Sequence, residues 1–590
     1  MVLGLVALLV SPIVPPAVAG SSPAVSLTLT PPAVTFGRSQ TPSGTIMADA
    51  PCAAGRTVDL QQEAAGTSVW TAVGSPATSD GSGGFTFGAR QPTANASYRA
   101  VVEPVVVGAT TCDQLTSPAR PGKVRAAVTF ALGRSSVPAG SCTTATATVK
   151  PAKSGTHVLL QERGSSAWRT VRTLTLDASS RAATQLCETW PDLGRHTMRM
   201  TWPSQDDQNA TGSSPARVLA VPKAAWMRRI DRLAGGHAMG ISIRAKGHVL
   251  YEREAFQRFA PASNEKLLLS MALLDRIGPS ARIETDAAAG SVHHGVVSGN
   301  LWILGHGDPS TGPGQLRTLA KDIVAAGVKR ITGRVMGSTT YFSHDWYAPG
   351  WRKFFPRLEV GLPSALTFKE NHVNGRNVHD PERYAAQELA RRLKARGVAI
   401  GGGKPGSGAA PGGLGKVAAV RSIRLTGLLR HMDRLSDNFY AEVLGKGLGV
   451  DASGPPGTIA HGAAAIESWA AAHGTNVSVH DSSGLSYRNR VTPNGLTGLL
   501  QYALGTSWAP KLLAALPAAG QGTLKDRHLA GVKLRAKTGT LDYISALSGW
   551  VWLSQLHDWA EFSILDRGMG ASHAKDLEDA IVRTTASSAH

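Results

Sequence analysis

The first 220 residues alternate between apolar and polar positions over short runs, a pattern typical of β-strands that bury one face. Two such runs are TVDLQQE at 57–63 and ASYRAVVEPVV at 96–106, and clusters of Gly, Ser, Pro and Asp separate them from their neighbours. About seven runs in every stretch of roughly 95 residues predict all-β, immunoglobulin-like (Ig-like) sandwiches.

This β-rich region repeats itself. GRTVDLQQE at 55–63 corresponds to GTHVLLQER at 155–163, and SPAR occurs at both 117–120 and 214–217. Matches in the same order at a nearly constant offset indicate tandem copies. We therefore predict one Ig-like sandwich over 24–121 and a second over 122–221. Each copy contains two of the four cysteines, and proximity within a copy suggests the pairs Cys52–Cys112 and Cys142–Cys187.

From residue 223 the pattern changes to a mixture of helices and strands. AAWMRRIDRLA at 224–234 is amphipathic and ends at two glycines, which predicts a helix, and GISIRAKGHVLYERE at 240–254 predicts a hairpin. The runs at 544–554 and 558–566 predict strands, and a helix follows near 573–584. These elements predict one sheet, built from both ends of a 223–590 domain, with an insertion at approximately 280–420.

The N-terminus predicts export. Residues 2–10 form an apolar run too short to span a membrane, and the AVA at 17–19 fits a cleavage site, although no basic residue precedes the run. We predict a signal peptide over 1–19, a secreted, extracytoplasmic and wall-associated protein, and no transmembrane segment in the mature chain. The even number of cysteines agrees with an oxidising compartment.

Composition narrows the range of partners. The hydrophobic fraction of 42% is ordinary for a soluble protein, whereas a net charge of +20 on 590 residues favours a polyanionic neighbour. Nucleic acid is disfavoured, since no zinc-finger spacing, RNP-like stretch or basic helical run occurs. An anionic cell-wall polymer fits the charge; the alternative is that the arginine content reflects codon bias alone. The cysteine spacing fits no metal site.

Three short motifs contain the candidate chemistry. In PASNEK at 261–266, Ser263 and Lys266 lie three residues apart and share one face of a helix. A buried lysine can take the proton of a serine hydroxyl and make it a nucleophile. A helix-capping serine beside a solvent-exposed lysine has the same spacing, so this motif alone does not decide the function.

The other two motifs follow in order along the chain. Ser436 and Asn438 lie in LSDNFYAE between two predicted helices, and RAKTGTL at 535–541 begins a predicted strand. The order S-x-x-K, S-x-N, K-T-G resembles the active-site set of penicillin-binding and serine β-lactamase-like enzymes.

Further collinear stretches extend the resemblance over about residues 225–585. They are SGNLWILGHGDP at 298–309, SALTFKEN at 364–371, DSSGLSYRNRVTP at 481–493 and GQGTLKDR at 520–527. The chain thus resembles the peptidase S13 family of D-alanyl-D-alanine carboxypeptidases and endopeptidases, the low-molecular-mass class C penicillin-binding proteins. The resemblance implies an α/β transpeptidase-like domain with an antiparallel sheet flanked by helices.

The resemblance also implies roles for individual residues. Ser263 would be the acylated nucleophile and Lys266 its general base. Ser436 would relay a proton to the leaving amine, and Asn438 would bind the substrate carbonyl or hold Lys266. The residues implied to bind the substrate's carboxylate are Lys537, Thr538, Gly539 and Thr540. The backbone N–H groups of Ser263 and Thr540 would form the oxyanion hole.

The implied reaction releases D-alanine from peptidoglycan stem peptides that end in D-Ala-D-Ala. It needs no metal or other cofactor, and β-lactams would acylate Ser263 as inhibitors. Three features depart from the family pattern: Ser482 replaces an expected glycine, the interval between Ser263 and Ser436 is short, and Glu265 adjoins Lys266. The short interval implies a reduced insertion, and helix geometry predicts that Glu265 faces away from Lys266.

Two alternatives stay open at the level of sequence. The first is a β-lactamase or esterase of the same fold, although no E-x-x-x-N or Y-A-N deacylation motif is present. The second is a wall-binding protein whose enzyme domain has lost its activity and whose Ig-like copies are the functional part. The intact set of three motifs argues against decay.

Overall fold

The computed structural model describes residues 22–187 and 189–588 and divides into two compact units. The N-terminal unit holds the residues up to 222 apart from 189–192, and the C-terminal unit holds 189–192 and the residues from 223 onward. The predicted signal peptide over 1–19 lies outside the described residues. Within the described ranges, no helix is both long and apolar enough to cross a membrane.

The first half of the N-terminal unit consists of two sheets that share a core. One sheet contains Ala24–Val25, Thr28–Thr30, Thr41–Met47 and Gly84–Thr86. The other contains Ala33–Thr35, Thr57–Ala64, Trp70–Ala72, Ala77–Thr78, Ala96–Val102, Leu115–Thr116 and Arg120–Arg125. A short helix, Ala50–Ala53, and a separate hairpin, Val105–Val107 with Thr110–Cys112, complete this half. Buried side chains from both sheets, such as Leu29 and Tyr98, lie in one hydrophobic cluster.

The second half of this unit has a similar construction. A three-stranded sheet contains Ala127–Leu132, Cys142–Lys150 and Arg181–Cys187. A five-stranded sheet contains His157–Arg163, Trp168–Thr175, Gly194–Trp202, Gly212–Ser213 and Arg217–Val221. The predicted disulfide bonds are present: one joins Cys52 to Cys112 in the first half, and the other joins Cys142 to Cys187 in the second.

The centre of the C-terminal unit is an antiparallel sheet of five strands. In spatial order the strands are His248–Arg253, Ala238–Ala245, Asp558–Arg567, Ile544–Leu553 and Leu534–Leu541. The first hairpin turns at Lys246 and Gly247, both with positive φ (50° and 81°), as a tight two-residue turn requires. The sheet therefore combines strands from the beginning and the end of this unit.

Helices cover both faces of the sheet. On the Asp558–Arg567 strand, Ser563 and Asp566 point to opposite faces because side chains alternate along a strand. Asp566 faces Glu578 of the helix Ala571–Ala586, and the helix Ala225–Ala234 packs beside it. The opposite face carries most of the remaining helices of the core: Glu265–Arg276, Leu425–Leu435, Asn438–Ser453, Ile459–Ala472, Pro493–Leu504 and Ala509–Ala515.

A lobe is inserted between Arg276 and Leu425. Its main sheet contains Glu284–Ala289, Leu301–Gly305, Val335–Ser338, Gly406–Gly408 and Gly415–Arg421. A small sheet contains Val292–His293, Val296–Val297, Arg330–Ile331 and Ala399–Ile400. The helices Pro313–Ala325 and Pro381–Lys394 pack against the main sheet and share its hydrophobic core. The rest of the lobe contains short helical turns at Pro356–Val360 and Lys369–Asn371 and a hairpin, His372–Val373 with Arg376–Asn377.

Candidate active site

Ser263 lies in a 3-10 turn, Ala262–Asn264, that leads directly into the helix Glu265–Arg276, which we call the serine helix. Ala262, just before the serine, is buried and has a φ of 47°, a left-handed conformation that costs energy in a non-glycine residue. The turn is tied to the sheet because Asn264 Nδ2 donates to Ser548 Oγ at 2.8 Å. The surrounding fold thus holds Ser263 in place.

Lys266 lies one turn further along the serine helix and is fully buried. Its Nζ is 3.1 Å from Ser263 Oγ, 2.8 Å from Asn438 Oδ1 and 2.6 Å from the backbone oxygen of Ser483. Burial lowers the pKa of Lys266 to about 8, against the attraction of several nearby carboxylates. The serine and the lysine are therefore in hydrogen-bonding contact, and the lysine loses its proton far more readily than an exposed lysine does.

Ser436 and Lys537 form a second pair on another side of the site. Ser436 follows the helix Leu425–Leu435 with φ 59° and ψ 38°, the left-handed conformation that commonly ends a helix. The Lys537 Nζ donates to Ser436 Oγ at 2.8 Å and to the backbone oxygen of Thr538 at 2.8 Å. Burial, together with the charge of Lys266, holds the pKa of Lys537 well below its usual value.

Asn438 is the first residue of the helix Asn438–Ser453. Asp437 caps this helix by accepting from the backbone N–H of Tyr440 at 2.9 Å. The side-chain amide of Asn438 is held on both sides: Oδ1 accepts from Lys266, and Nδ2 donates to the backbone oxygen of Glu359 at 3.0 Å. Asn438 is thereby fixed next to the general-base candidate.

The K-T-G strand, Leu534–Leu541, lies beside the turn that contains Ser263. Thr538 Oγ1 donates to Thr523 Oγ1 at 2.7 Å, and Thr540 is exposed. A Cβ atom on Gly539 would lie 2.7 Å from the backbone oxygen of Pro261 and 3.0 Å from the backbone nitrogen of Ser263. Only a residue without a side chain allows this approach. All eight predicted catalytic and substrate-binding residues therefore come together in one place.

The sequence prediction missed a set of buried carboxyl groups around the two lysines. Asp433 is fully buried, accepts from Ser270 Oγ at 2.9 Å, and has a pKa raised by burial to about 7. Behind Lys266, the carboxylate of Asp481 accepts from Trp351 Nε1 at 2.6 Å and from Asn489 Nδ2 at 2.7 Å.

Glu442, on the other side of Lys266, accepts from the backbone N–H groups of Ser482 at 3.0 Å and Ser483 at 2.7 Å. Glu442 lies in the LSDNFYAE stretch, four residues after Asn438, and this helical spacing is the signal that would have found it.

Glu265 does not act on Lys266 as an exposed charge. The side chain is buried and contacts Asn489, whose Nδ2 donates to Oε2 at 3.3 Å. Burial and the neighbouring carboxylates raise the pKa of Glu265 well above its usual value. It forms no hydrogen bond with Lys266 among the described residues, in agreement with the orientation expected from helix geometry.

One group of described side chains has the chemistry of a metal site. Glu370, His431 and Asp437 each bring a ligand atom within 4.8 Å of the others. His431 Nε2 lies 3.1 Å from Asp437 Oδ2, and this hydrogen bond raises the pKa of the histidine. The pair orients Asp437, the residue between Ser436 and Asn438.

A buried Ser–Lys pair, a Ser–Lys pair opposite it and a K-T-G strand beside the first serine define the class of penicillin-binding serine enzymes. The sequence model of the "D-Ala-D-Ala carboxypeptidase 3 (S13) family" matches residues 229–354 and 358–588. The chain belongs to this family, and it is a serine-type peptidase. The S13 resemblance and the transpeptidase fold predicted from the motifs are thereby confirmed.

Two relatives agree with this assignment. A protein named as a carboxypeptidase, from Mycobacterium tuberculosis, is 30% identical over 373 residues, which are 58% of this chain and 78% of that protein. The D-alanyl-D-alanine carboxypeptidase of an Actinomadura species is 26% identical over 427 residues, 57% of this chain and 78% of that protein. In both cases the aligned region covers most of the relative's length.

A solved structure shares the fold. The crystal structure of penicillin binding protein 4 from Haemophilus influenzae superposes with a TM-score of 0.53 at 20% sequence identity. The superposition covers 61% of this chain and 99% of that chain. The β-rich N-terminal unit precedes the residues that the family model matches.

Proposed function

We propose that the protein is an exported D-alanyl-D-alanine carboxypeptidase that cleaves peptidoglycan stem peptides through an acyl-enzyme on Ser263. The observation that supports this most directly is the environment of Lys266. Two fixed acceptors, Asn438 Oδ1 at 2.8 Å and the Ser483 backbone oxygen at 2.6 Å, occupy both N–H groups of the neutral amine. The lone pair then points to Ser263, 3.1 Å away.

In acylation, Lys266 takes the proton of Ser263 while Oγ attacks the carbonyl carbon of the D-Ala–D-Ala bond. The backbone N–H groups of Ser263 and Thr540 stabilise the oxyanion, and the close approach of Gly539 to Ser263 brings these two segments together. Collapse of the intermediate breaks the C–N bond and releases D-alanine, whose nitrogen receives a proton through Ser436. Water then hydrolyses the acyl-enzyme.

Substrate selection begins with the terminal carboxylate. Lys537 supplies an N–H donor beside Ser436, and the threonines of K-T-G-T supply further hydrogen-bond donors. Next to Thr540, a cavity of about 180 Å³ has a mixed lining: apolar side chains such as Phe355 lie beside Arg352 and Asp542, which form an ion pair at 2.7 Å. This mixed lining suits a stem-peptide side chain that has an apolar stem and a charged end. A crosslink that ends in a free D-carboxylate would be cut in the same way, as endopeptidase activity.

The proposal includes an extracytoplasmic location and a role for the N-terminal unit. The disulfide bonds are typical of an extracytoplasmic protein, and the net charge of +20 suits an anionic wall polymer. We assign the two β-rich modules of the N-terminal unit as Ig-like sandwiches over 24–121 and 122–221, which act as a spacer between the wall and the 223–590 enzyme domain. Two sheets per module, held by a shared core in the first, support this assignment.

The direct test incubates the purified protein with a diacyl-Lys-D-Ala-D-Ala peptide and assays free D-alanine. We expect release from the wild type and none from Ser263→Ala, because the variant lacks the nucleophile. Equal release from both proteins would contradict the proposal. Rapid turnover of penicillin, in place of a long-lived acyl-enzyme, would favour a β-lactamase of the same fold.

A further inference from the structure

The second acceptor of Lys266 is a backbone oxygen, and something must hold it in place. This oxygen belongs to Ser483, in the turn that runs from Asp481 to Gly484. The N–H groups of Ser482 and Ser483 both donate to one atom, Glu442 Oε1, at 3.0 and 2.7 Å. Glu442 is fully buried, so this contact is the anchor of the turn on that side.

The same helix sets both acceptors. Asn438 and Glu442 are four residues apart on the helix Asn438–Ser453 and therefore lie on one face. Asn438 reaches Lys266 directly, and Glu442 reaches it through the Ser482–Ser483 backbone. A displacement of Glu442 would move one of the two acceptors and leave the other, which would rotate the amine away from Ser263.

We propose that Glu442 is a positioning residue for Lys266: it holds the Ser483 carbonyl where the amine must donate, so that the lone pair of Lys266 faces Ser263. The inference rests on the proposed function, since it assigns Glu442 a role in the activation of that nucleophile. Among the described residues, Glu442 has hydrogen bonds with Ser482 and Ser483 and none with Ser263, so its effect is exerted through the turn.

The charge state of Glu442 fits this role. Burial and the charge of Asp481 raise the pKa of Glu442 to about 8, so that the group is largely uncharged at neutral pH. Other titratable groups also act on this region. Glu265 and Lys266 lie on the serine helix, and Lys446 lies one turn after Glu442 on the helix Asn438–Ser453. An ionised Glu442 would raise the pKa of Lys266, whereas an uncharged one positions the turn without that effect.

The test compares Glu442→Ala with Glu442→Gln. Alanine removes the acceptor, and we expect the second-order rate of acylation by a fluorescent penicillin to fall by about 10- to 100-fold. Glutamine keeps the acceptor and should recover most of that rate. Since glutamine cannot ionise, the rise of the rate with pH should also begin at a lower pH than in the wild type. Glu561 provides the control, because it is a buried carboxyl on the central sheet and is not among the groups that shift the pKa of Lys266: penicillin should acylate Glu561→Ala at the wild-type rate.

A second pair of variants tests the turn without touching Glu442. A Cβ atom on Gly445 would lie 1.9 Å from Ser482 Oγ, so Gly445→Ala must push the turn away. Ser482→Gly removes the side chain that the new methyl group strikes. We expect penicillin to acylate Gly445→Ala more slowly than the wild type. The double variant should be acylated faster than Gly445→Ala. This comparison stays informative even if Glu442→Ala fails to fold.

The inference would be overturned if penicillin acylated Glu442→Ala at the wild-type rate. It would also be overturned if Glu442→Gln were acylated as slowly as Glu442→Ala. A Gly445→Ala variant with an unchanged rate, or a double variant as slow as Gly445→Ala, would also contradict it. Failure of the proposed function has a different signature: the wild type is not labelled, or Ser263→Ala is labelled equally. The two outcomes are therefore separable in one series of measurements.

Discussion

At the scale of single residues, the proposed mechanism depends on Lys266, which must be uncharged to act as a base. Burial lowers its pKa to about 8, while the nearby carboxyl groups of Asp481, Glu442, Asp437 and Asp433 raise it when they are ionised. Desolvation is the largest of these effects, so about a tenth of the lysine is uncharged at about pH 7. At the same pH, the uncharged fraction of an ordinary exposed lysine would be far smaller.

We therefore expect the rate of acylation by penicillin to fall as the pH decreases through about 8. The sign follows from the lone pair: protonated Lys266 cannot accept the proton of Ser263. Each pH unit below that value should lower the rate by about tenfold. Mass spectrometry of the acyl-enzyme measures this rate. Lys266→Arg, which is permanently charged, should be slow throughout, and a wild-type rate independent of pH in this range would contradict the role of Lys266.

The sequence identifies functional residues when their side chains form a recognisable motif. It does not identify hydrogen-bond acceptors that belong to the backbone. S-x-x-K and S-x-N were enough to predict that Ser263, Lys266 and Asn438 meet. The Ser483 carbonyl was not predictable, because every residue has a backbone oxygen and only the fold selects one. The left-handed conformation of Ser436 was equally hidden, since the sequence shows a serine where glycine is the usual signal.

At the scale of elements, the site is a contact between the start of the serine helix and the K-T-G strand. Gly539 sets the distance, because a side chain there would meet the backbone of Pro261 and Ser263. Both contacts are with backbone atoms, which cannot move aside as the end of a flexible side chain can. The proposed oxyanion hole thus depends on a glycine, which has no side chain, at this position.

Gly539→Ala should separate the strand from the serine turn and slow acylation by about 100-fold, since a displacement of about 1 Å has effects of this size. The far-ultraviolet circular dichroism spectrum should stay unchanged, because the rest of the strand keeps its pairing. Gly447→Ala is the matched control: a Cβ atom there has no neighbour within 4 Å. If both variants acylated at the wild-type rate, the close approach would have no catalytic importance.

The same scale shows which elements a sequence can predict. The Ala225–Ala234 helix and the hairpin after it were predicted from periodicity and from a glycine in the turn, and both are present. The inserted lobe was predicted only as an interval. Its strand Gly406–Gly408 has the sequence Gly-Ser-Gly, with no apolar side chain to mark it, and it exists because Val335–Ser338 supplies a partner strand.

At the scale of the whole molecule, the protein separates into a unit that carries the chemistry and a unit that carries the disulfide bonds. Every predicted catalytic and substrate-binding residue lies in the C-terminal unit, and all four cysteines lie in the N-terminal unit. The assignment of the N-terminal modules as Ig-like sandwiches stays a prediction. Stability and activity are thus expected to respond to different substitutions.

We expect the double variant Cys52→Ser, Cys112→Ser to lower the free energy of unfolding of the N-terminal unit by about 2–4 kcal/mol. The reason is that the bond closes a long loop, with a sequence separation of 60 residues. Denaturant unfolding, followed with probes in each unit, measures the change. The rate of acylation by penicillin should not change, and a parallel loss of labelling would show that the two units depend on each other.

The strand order of the central sheet has a consequence for synthesis of the chain. Ala238–Ala245 pairs on one side with its hairpin neighbour and on the other with Asp558–Arg567, which the ribosome makes much later. Until then one edge of the hairpin has no partner, and such edges invite aggregation. The K-T-G strand joins this hairpin in one sheet through Ile544–Leu553 and the same late strand. Penicillin labelling of a nascent or refolding chain should therefore report the last step of folding.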